Sequence, residues 1–246
     1  MTTRITGIKD TPYCFQDYDT VNVLSWHKKD TPYYELSPYH LKTDGNEEAV
    51  NPGGVIFENF WQGQKVYPWI YPIEIYTHYS KKGDPRFLLY QSKHNEPHLD
   101  SSGQILPDYY RWRNEIFGST KALRYPNGFN HRHECKFLLL IKEDNTQERL
   151  DYISARKRVY CQEYKRLARK LPVYQRLLRR LRQDPNYKIC ISEIDVPCFS
   201  KKGSYHCEDP YFECTLQNLE VLLNDPSEAY GHGLCLATAL LEDLSF

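Results

Sequence analysis

"YISARKRVYCQEYKRLARKLPVYQRLLRRLRQ", residues 152–183, is the stretch from which the fold is read. Val159, Tyr160, Tyr164, Leu167, Ala168 and Leu171 follow the i, i+3, i+4 spacing that places apolar side chains on one face of an α-helix. Pro172 suits the first position of a second helix, with Val173, Leu177, Leu178 and Leu181 turned inward. Beyond this pair, "YKICISEIDVP" (187–197) reads as a strand burying Ile189, Ile191 and Ile194 on one side. "AYGHGLCLATALLEDL" (229–244) reads as a glycine-led start to an apolar helix.

Upstream, "VNVLSW" (21–26) has partial strand character, and residues 55–67 predict a helix carrying Phe57, Phe60 and Trp61. Gly63 inside that helix marks a place where another segment, or a ligand, approaches closely. Between them and the central helices, Pro68, Pro72, Pro85, Pro97, Pro107 and Pro126 punctuate short extended pieces such as "RFLLYQ" (86–91) and "CKFLLLI" (135–141). Residues 68–150 therefore read as an irregular inserted region with a few strands. The expected fold is α+β, predominantly helical, as a single domain over residues 1–246.

The 246 residues, 40% of them hydrophobic, suffice for a full core. No stretch approaches the roughly 20 apolar residues that span a bilayer. The opening "MTTRITGIKDTPYC" has no apolar segment of the kind that directs secretion. Eight cysteines without that context, and without any Cys-x-x-Cys pair, argue for thiols rather than a disulfide framework. Cys198, His206, Cys207 and Cys214 fit no usual zinc spacing, so neither a metal nor a cofactor is expected. The expectation is a protein of the cell interior, cytoplasmic or nuclear, with no membrane partner. The 21 tyrosines suit half-buried grooves where planar ligands stack.

Charge is balanced overall, 32 basic against 32 acidic residues, but unevenly spread. Residues 155–182 carry eleven Lys or Arg and one acid, Glu163, whereas ten acids follow from Glu193 onward against Lys201 and Lys202. Such a basic run is either a surface for an anionic partner or a solvated helix face.

Among the aromatic residues of "FENFWQGQKVYP" (57–68) stands one carboxylate, Glu58. Helical spacing places it on one stripe with Trp61, Gln62 and Lys65. This is either the wet edge of an amphipathic helix or a sugar site, in which carboxylate and amide take hydroxyls and the indole covers an apolar face.

The order of several blocks resembles the NADAR family. Glu58, Gln62, Gln64 and Lys65 stand at the spacings of that family's S-E-H-Y-F-Q-A-Q-K-F segment, which carries its key glutamate. "VNVLSWHKKDTPYYELSPYHL" (21–41) is similar to its opening N-F-Y…F-S-N-F block. "ARKRVYCQEYKRL" and "PVYQRLL" occupy the place of its central helices, and "AYGHGLCLATALL" that of its W-G-x-G…L-G-x-x-L-M ending, with Tyr230 at the tryptophan. The match covers about residues 20–67 and 152–244, with 68–150 as an insertion that compact members lack. The resemblance implies recognition of ADP-ribose or ADP-ribosylated nucleic acid and hydrolysis of an N-glycosidic bond, with Glu58 as the catalytic carboxylate. Its targets would be guanine bases of DNA or RNA, or small ribosylamine metabolites. An apolar surround would raise the basicity of such a carboxylate.

The family's nucleotide-contacting block falls here on Asn22, Ser25 and Trp26, although Asn22 and Ser37 equally suit turns. Glu193 and Asp195 close a strand as a second acidic pair, either near the site or at the surface. Tyr230, Gly231 and His232 open the last helix, where backbone N–H groups suit a diphosphate. Arg124 and Arg132 in "RYPNGFNHRH" (124–133), with Arg179 and Arg180 on the second central helix, are the candidate nucleic-acid contacts.

Overall fold

The computed structural model describes residues 5–8, 17–24, 32–44, 53–70, 88–89, 96–124, 134–142, 144–193, 196 and 211–245. They form an α+β protein in two units. One is built from residues 1–41 and 156–246, the other from the continuous segment 42–155.

The first unit rests on a sheet of β1 (Ile5–Ile8), β2 (Asp19–Asn22), β10 (Ile189–Ser192) and β11 (Phe212–Glu213), in the order β11-β1-β10-β2. Strand β10 runs parallel to both its neighbours, with Ile189 opposite Ile5 on one side and Asp19 on the other. The expected one-sided burial of this strand is corrected: Cys190 and Ser192 are buried along with Ile189 and Ile191. An interior parallel strand is covered on both faces, so alternation disappears. Strand β2 starts before the predicted stretch and stops at Asn22. The Asn22 Oδ1 accepts the Leu24 N–H at 3.0 Å and turns the chain.

Among the described residues, four α-helices belong to this unit: α4 (Gln162–Lys170), α5 (Pro172–Gln183), α6 (Leu216–Asn224) and α7 (His232–Leu244). Pro172 opens α5 as predicted, and the inward Tyr164, Leu167, Ala168, Val173, Leu177, Leu178 and Leu181 are all buried. Helix α7 lies against β1 and β10 and receives α4 and α5 on its flank. The segment Arg156–Cys161 is π-helical where periodicity predicts a regular helix. Its Arg156 is buried, and the guanidinium donates to the carbonyls of Leu222, Asp225 and Glu228 at 3.2, 3.0 and 2.5 Å. It thereby ties the C-terminal end of α6 and the turn that follows it to this segment. The described cysteines are free thiols, with the Cys235 and Cys161 sulfurs 3.3 Å apart in the core.

In the second unit the helix expected over 55–67 is only α1 (Phe57–Gln62). A Cβ at Gly63 would lie 2.5 Å from Cε1 of Phe117, so protein, not a ligand, makes the close approach there. The chain turns directly into β3 (Lys65–Val66), β4 (Trp69–Ile70), β5 (Leu88–Leu89) and β6 (Glu96–Pro97). Helix α2 (Pro107–Gly118) follows, then β7 (Leu123–Arg124), β8 (Phe137–Ile141), β9 (Gln147–Leu150) and the short α3 (Tyr152–Ala155). The strands pair as β3-β8-β9, β4-β6 and β5-β7.

Because β3 pairs with β8, the expected boundary between 67 and 68 falls inside this unit. Asn59 ties α1 to the segment before β7, donating to the Lys121 carbonyl at 2.9 Å and accepting the Leu123 N–H at 2.7 Å. The core gathers Val66, Tyr67, Ile70, Tyr109, Trp112, Ile116 and Leu139. Helix α2 supplies three of these, and its Pro107 starts a helix rather than interrupting one. His98 is enclosed by the Tyr109 and Trp112 rings, at centroid distances of 5.3 and 4.9 Å, and burial pushes its pKa down to about 3.

Candidate functional site

Glu58 is 6% exposed in α1, which excludes the wet-edge reading. Phe57, Asn59, Trp61 and Gln62 of the same helix are buried with it. One turn on, Gln62 Nε2 donates to Glu58 Oε1 at 2.9 Å, the i, i+4 contact that the spacing predicts. Lys65 joins the group from β3 rather than from the helix, its ammonium 5.4 Å from the Trp61 ring centre. The indole also meets the Tyr152 ring at 6.3 Å. Gln64 turns away, donating to the Phe60 carbonyl at 2.9 Å. The cluster therefore contains a buried carboxylate, an amide that fixes one of its oxygens, an indole face and a cation. Chemically, such a set of groups can accept hydroxyl protons and stabilise positive charge.

In the first unit, a second cluster surrounds the start of α7. Gly231 caps the helix without a side chain to offer its amides. That function falls to Glu193, just past β10, whose Oε2 accepts the Gly233 N–H at 2.5 Å. A negative charge at a helix N-terminus is also favoured by the helix dipole. The same oxygen lies 3.2 Å from His232 Nδ1, while His232 Nε2 reaches the Val23 carbonyl at 2.8 Å. A Cβ on Gly233 would come within 2.8 Å of the Glu193 side chain, so the second glycine of "YGHG" makes room for this carboxylate. At this helix start the Gly233 N–H, next to the residues expected to meet a diphosphate, is taken by the Glu193 carboxylate. Tyr230 is buried, its hydroxyl 2.8 Å from Thr238 Oγ1.

Asn22 and Ser37 both serve turns. The Ser37 Oγ accepts the Tyr39 N–H at 3.4 Å, and the Asn22 Oδ1 accepts the Leu24 N–H two residues on. Ser25, Trp26, Asp195 and Arg132 lie outside the described residues, as do Cys198, His206 and Cys207 of the loose cysteine cluster. Arg124 stands in β7 opposite Leu89.

The basic helices are largely balanced within the chain. Arg169 bonds Glu242 and Asp243 at 2.9 and 2.8 Å, Lys165 bonds Glu242 at 2.8 Å, and Arg166 bonds Glu163 at 2.6 Å. Arg180 pairs with Asp19 at 2.8 Å and stacks 3.9 Å over the Tyr187 ring. Arg182 donates to the Asp243 carbonyl at 2.5 Å. The acids that make the sequence asymmetric toward its end are partly the partners of these cations.

Sequence reasoning missed the roles of Gly233, Val23 and Arg156. Only the second glycine of "YGHG" carried a signal, namely close approach of another group. Among the described residues no group of three or more His, Cys, Asp or Glu could hold a metal ion, and no helix is long and apolar enough to cross a membrane. Compared with family models, curated proteins and solved structures, the chain finds no match in any of the three.

Proposed function

We propose that this chain is an N-glycosyl hydrolase of the NADAR type, releasing ADP-ribose from a modified guanine base of nucleic acid. The observation that carries this reading is the burial of Glu58 with its Oε1 fixed by Gln62. A solvent-facing helix glutamate has no need of such a setting. In the proposed reaction the C1″–N bond breaks and its electron pair leaves with the base nitrogen. The ribose becomes an oxocarbenium ion, whose positive charge the Glu58 carboxylate stabilises. Water then adds to C1″ and gives its proton to that carboxylate, from which it passes to the departed base nitrogen, restoring the carboxylate. Trp61 supplies an apolar wall for the ring, and Gln62 holds the carboxylate in orientation.

The test is Glu58→Gln, assayed by single-turnover release of ADP-ribose from ADP-ribosylated guanine DNA. The rate is expected to fall by roughly 100-fold or more, as removal of a charge-stabilising group or general base does. ADP-ribose affinity should change far less than the rate, and the melting temperature should stay close to wild type. A fully active variant would return Glu58 to a structural role.

A second reading, hydrolysis of a small ribosylamine metabolite, is favoured by one observation. Arg166, Arg169, Arg180 and Arg182 are engaged inside the chain and so less available to a phosphate backbone. A polymer substrate should lose affinity steeply with added salt, and a metabolite should not.

A further inference from the structure

Gln62 has one end satisfied and one end bare. Its side chain is 2% exposed, and its Nε2 donates to Glu58 Oε1. The opposite orientation of the amide would set its carbonyl against an acceptor-only carboxylate, so the assignment of N and O follows from chemistry. The Oε1 atom is then buried and meets no hydrogen-bond donor. Buried carbonyls of this kind almost always have a partner, because leaving them bare forfeits the hydration they had in water.

We infer that Gln62 Oε1, beside the Glu58 carboxylate, is the acceptor for a hydroxyl of a neutral sugar ring, and that this subsite selects a vicinal diol over any phosphate. The inference rests on the ADP-ribose reading of the same site and assigns the ligand's ends within it. Both groups presented by this helical turn are acceptors. A phosphate or carboxylate brings no proton to them and is repelled by Glu58. A sugar hydroxyl donates, and two neighbouring hydroxyls span an amide and a carboxylate placed four residues apart. A carboxylate has about four acceptor positions, so it can receive a hydroxyl while still holding Gln62. Trp61 lies on the same turn as an apolar plate for the ring's C–H face. The terminal ribose, not the diphosphate, belongs here.

Calorimetry with ADP-ribose and ADP, which differ by that terminal ribose, tests the assignment on wild type, Gln62→Lys and Gln62→Met. Lysine keeps a donor for Glu58 and removes the acceptor, whereas methionine removes both. Both variants should lose about tenfold or more in ADP-ribose affinity with ADP binding unchanged, the scale of one buried hydrogen bond. Wild-type affinity in Gln62→Lys would overturn the inference and leave Gln62 as a residue that only positions Glu58. Ligand-observed NMR on wild-type protein adds an arm independent of folding and of the diphosphate. D-ribose should show saturation transfer, and 2-deoxy-D-ribose should show markedly less. If ADP-ribose binds no better than ADP while ribose still outperforms deoxyribose, the ADP-ribose reading fails and the diol subsite stands. Equal signals from the two sugars sink the subsite whatever ADP-ribose does.

Discussion

Glu193 and Glu58 are both buried carboxylates, and the two units hold them differently. Around Glu193 the hydrogen-bond ledger closes. A helix amide and a histidine converge on one oxygen, and the histidine's other nitrogen reaches a backbone carbonyl. Beside Glu58 one group is left over: Gln62, which holds the carboxylate, keeps an unmet carbonyl of its own. A closed polar cluster rigidifies the structure that contains it. An open one carries an unfavourable energy in the free protein that a matching ligand relieves. Burial alone does not separate a structural from a functional carboxylate; the state of its neighbours does.

The sharpest way to break this contrast is Glu193→Ala. It strips a partner from both Gly233 N–H and His232 Nδ1, and should cost about 3 kcal/mol, the loss typical of a broken buried pair. Urea unfolding measures it, and a cost similar to that of Glu58→Gln would erase the distinction. For Glu58→Gln the expected loss is below about 1 kcal/mol, because a neutral amide still accepts from Gln62.

Acid sharpens the comparison from another side. The folded protein holds His98 at a pKa of about 3, well below the ordinary 6.5. Between those values the unfolded chain binds a proton that the folded chain does not, so stability is full above pH 6.5 and falls as pH is lowered. The slope is about 1.4 kcal/mol per pH unit, or roughly 2 kcal/mol lost by pH 5. His98→Gln should remove this component, seen as a smaller difference in unfolding free energy between pH 7 and pH 5. Hydrogen exchange should place the acid loosening in residues 96–118, not in α7. Equal slopes in wild type and variant would count against the neutral, caged histidine.

The smallest effect belongs to the basic helices. Arg180→Met removes an ion pair whose side chains are 59% and 51% exposed, and should change stability by only about 0.5 kcal/mol, less in high salt.

What was legible in the sequence follows from the range of the interactions involved. The turn at Pro172, helix α7 and the Glu58–Gln62 contact depend on residues at most a few positions apart, and periodicity shows them. The early end of α1 does not, because Phe117 lies 54 positions beyond Gly63 in the chain. Helix α2 was hidden by a proline that reads as a break until one sees that it sits at a helix start. The pairing of Ile5 with Ile189, and the capping of α7 by Glu193, join segments with no local trace of each other. The basic run looked like an interface because its acidic partners, Glu242 and Asp243, come some 70 residues later.

The sheet of the first unit sets an order on the birth of the protein. Strand β1 leaves the ribosome long before its two neighbours, β10 and β11, which begin at residues 189 and 212. At about 5–20 residues per second, the opening strand waits roughly ten to forty seconds for them. The described strands of residues 42–155 all pair within that segment, which has been synthesised well before then. During that interval β1 and β2 are unpaired strand edges, the segments a chaperone or a neighbouring nascent chain would meet first. Arg156, whose carbonyl partners lie at 222–228, is among the last residues to be satisfied. Its capture of the end of α6 marks the point at which the first unit can close.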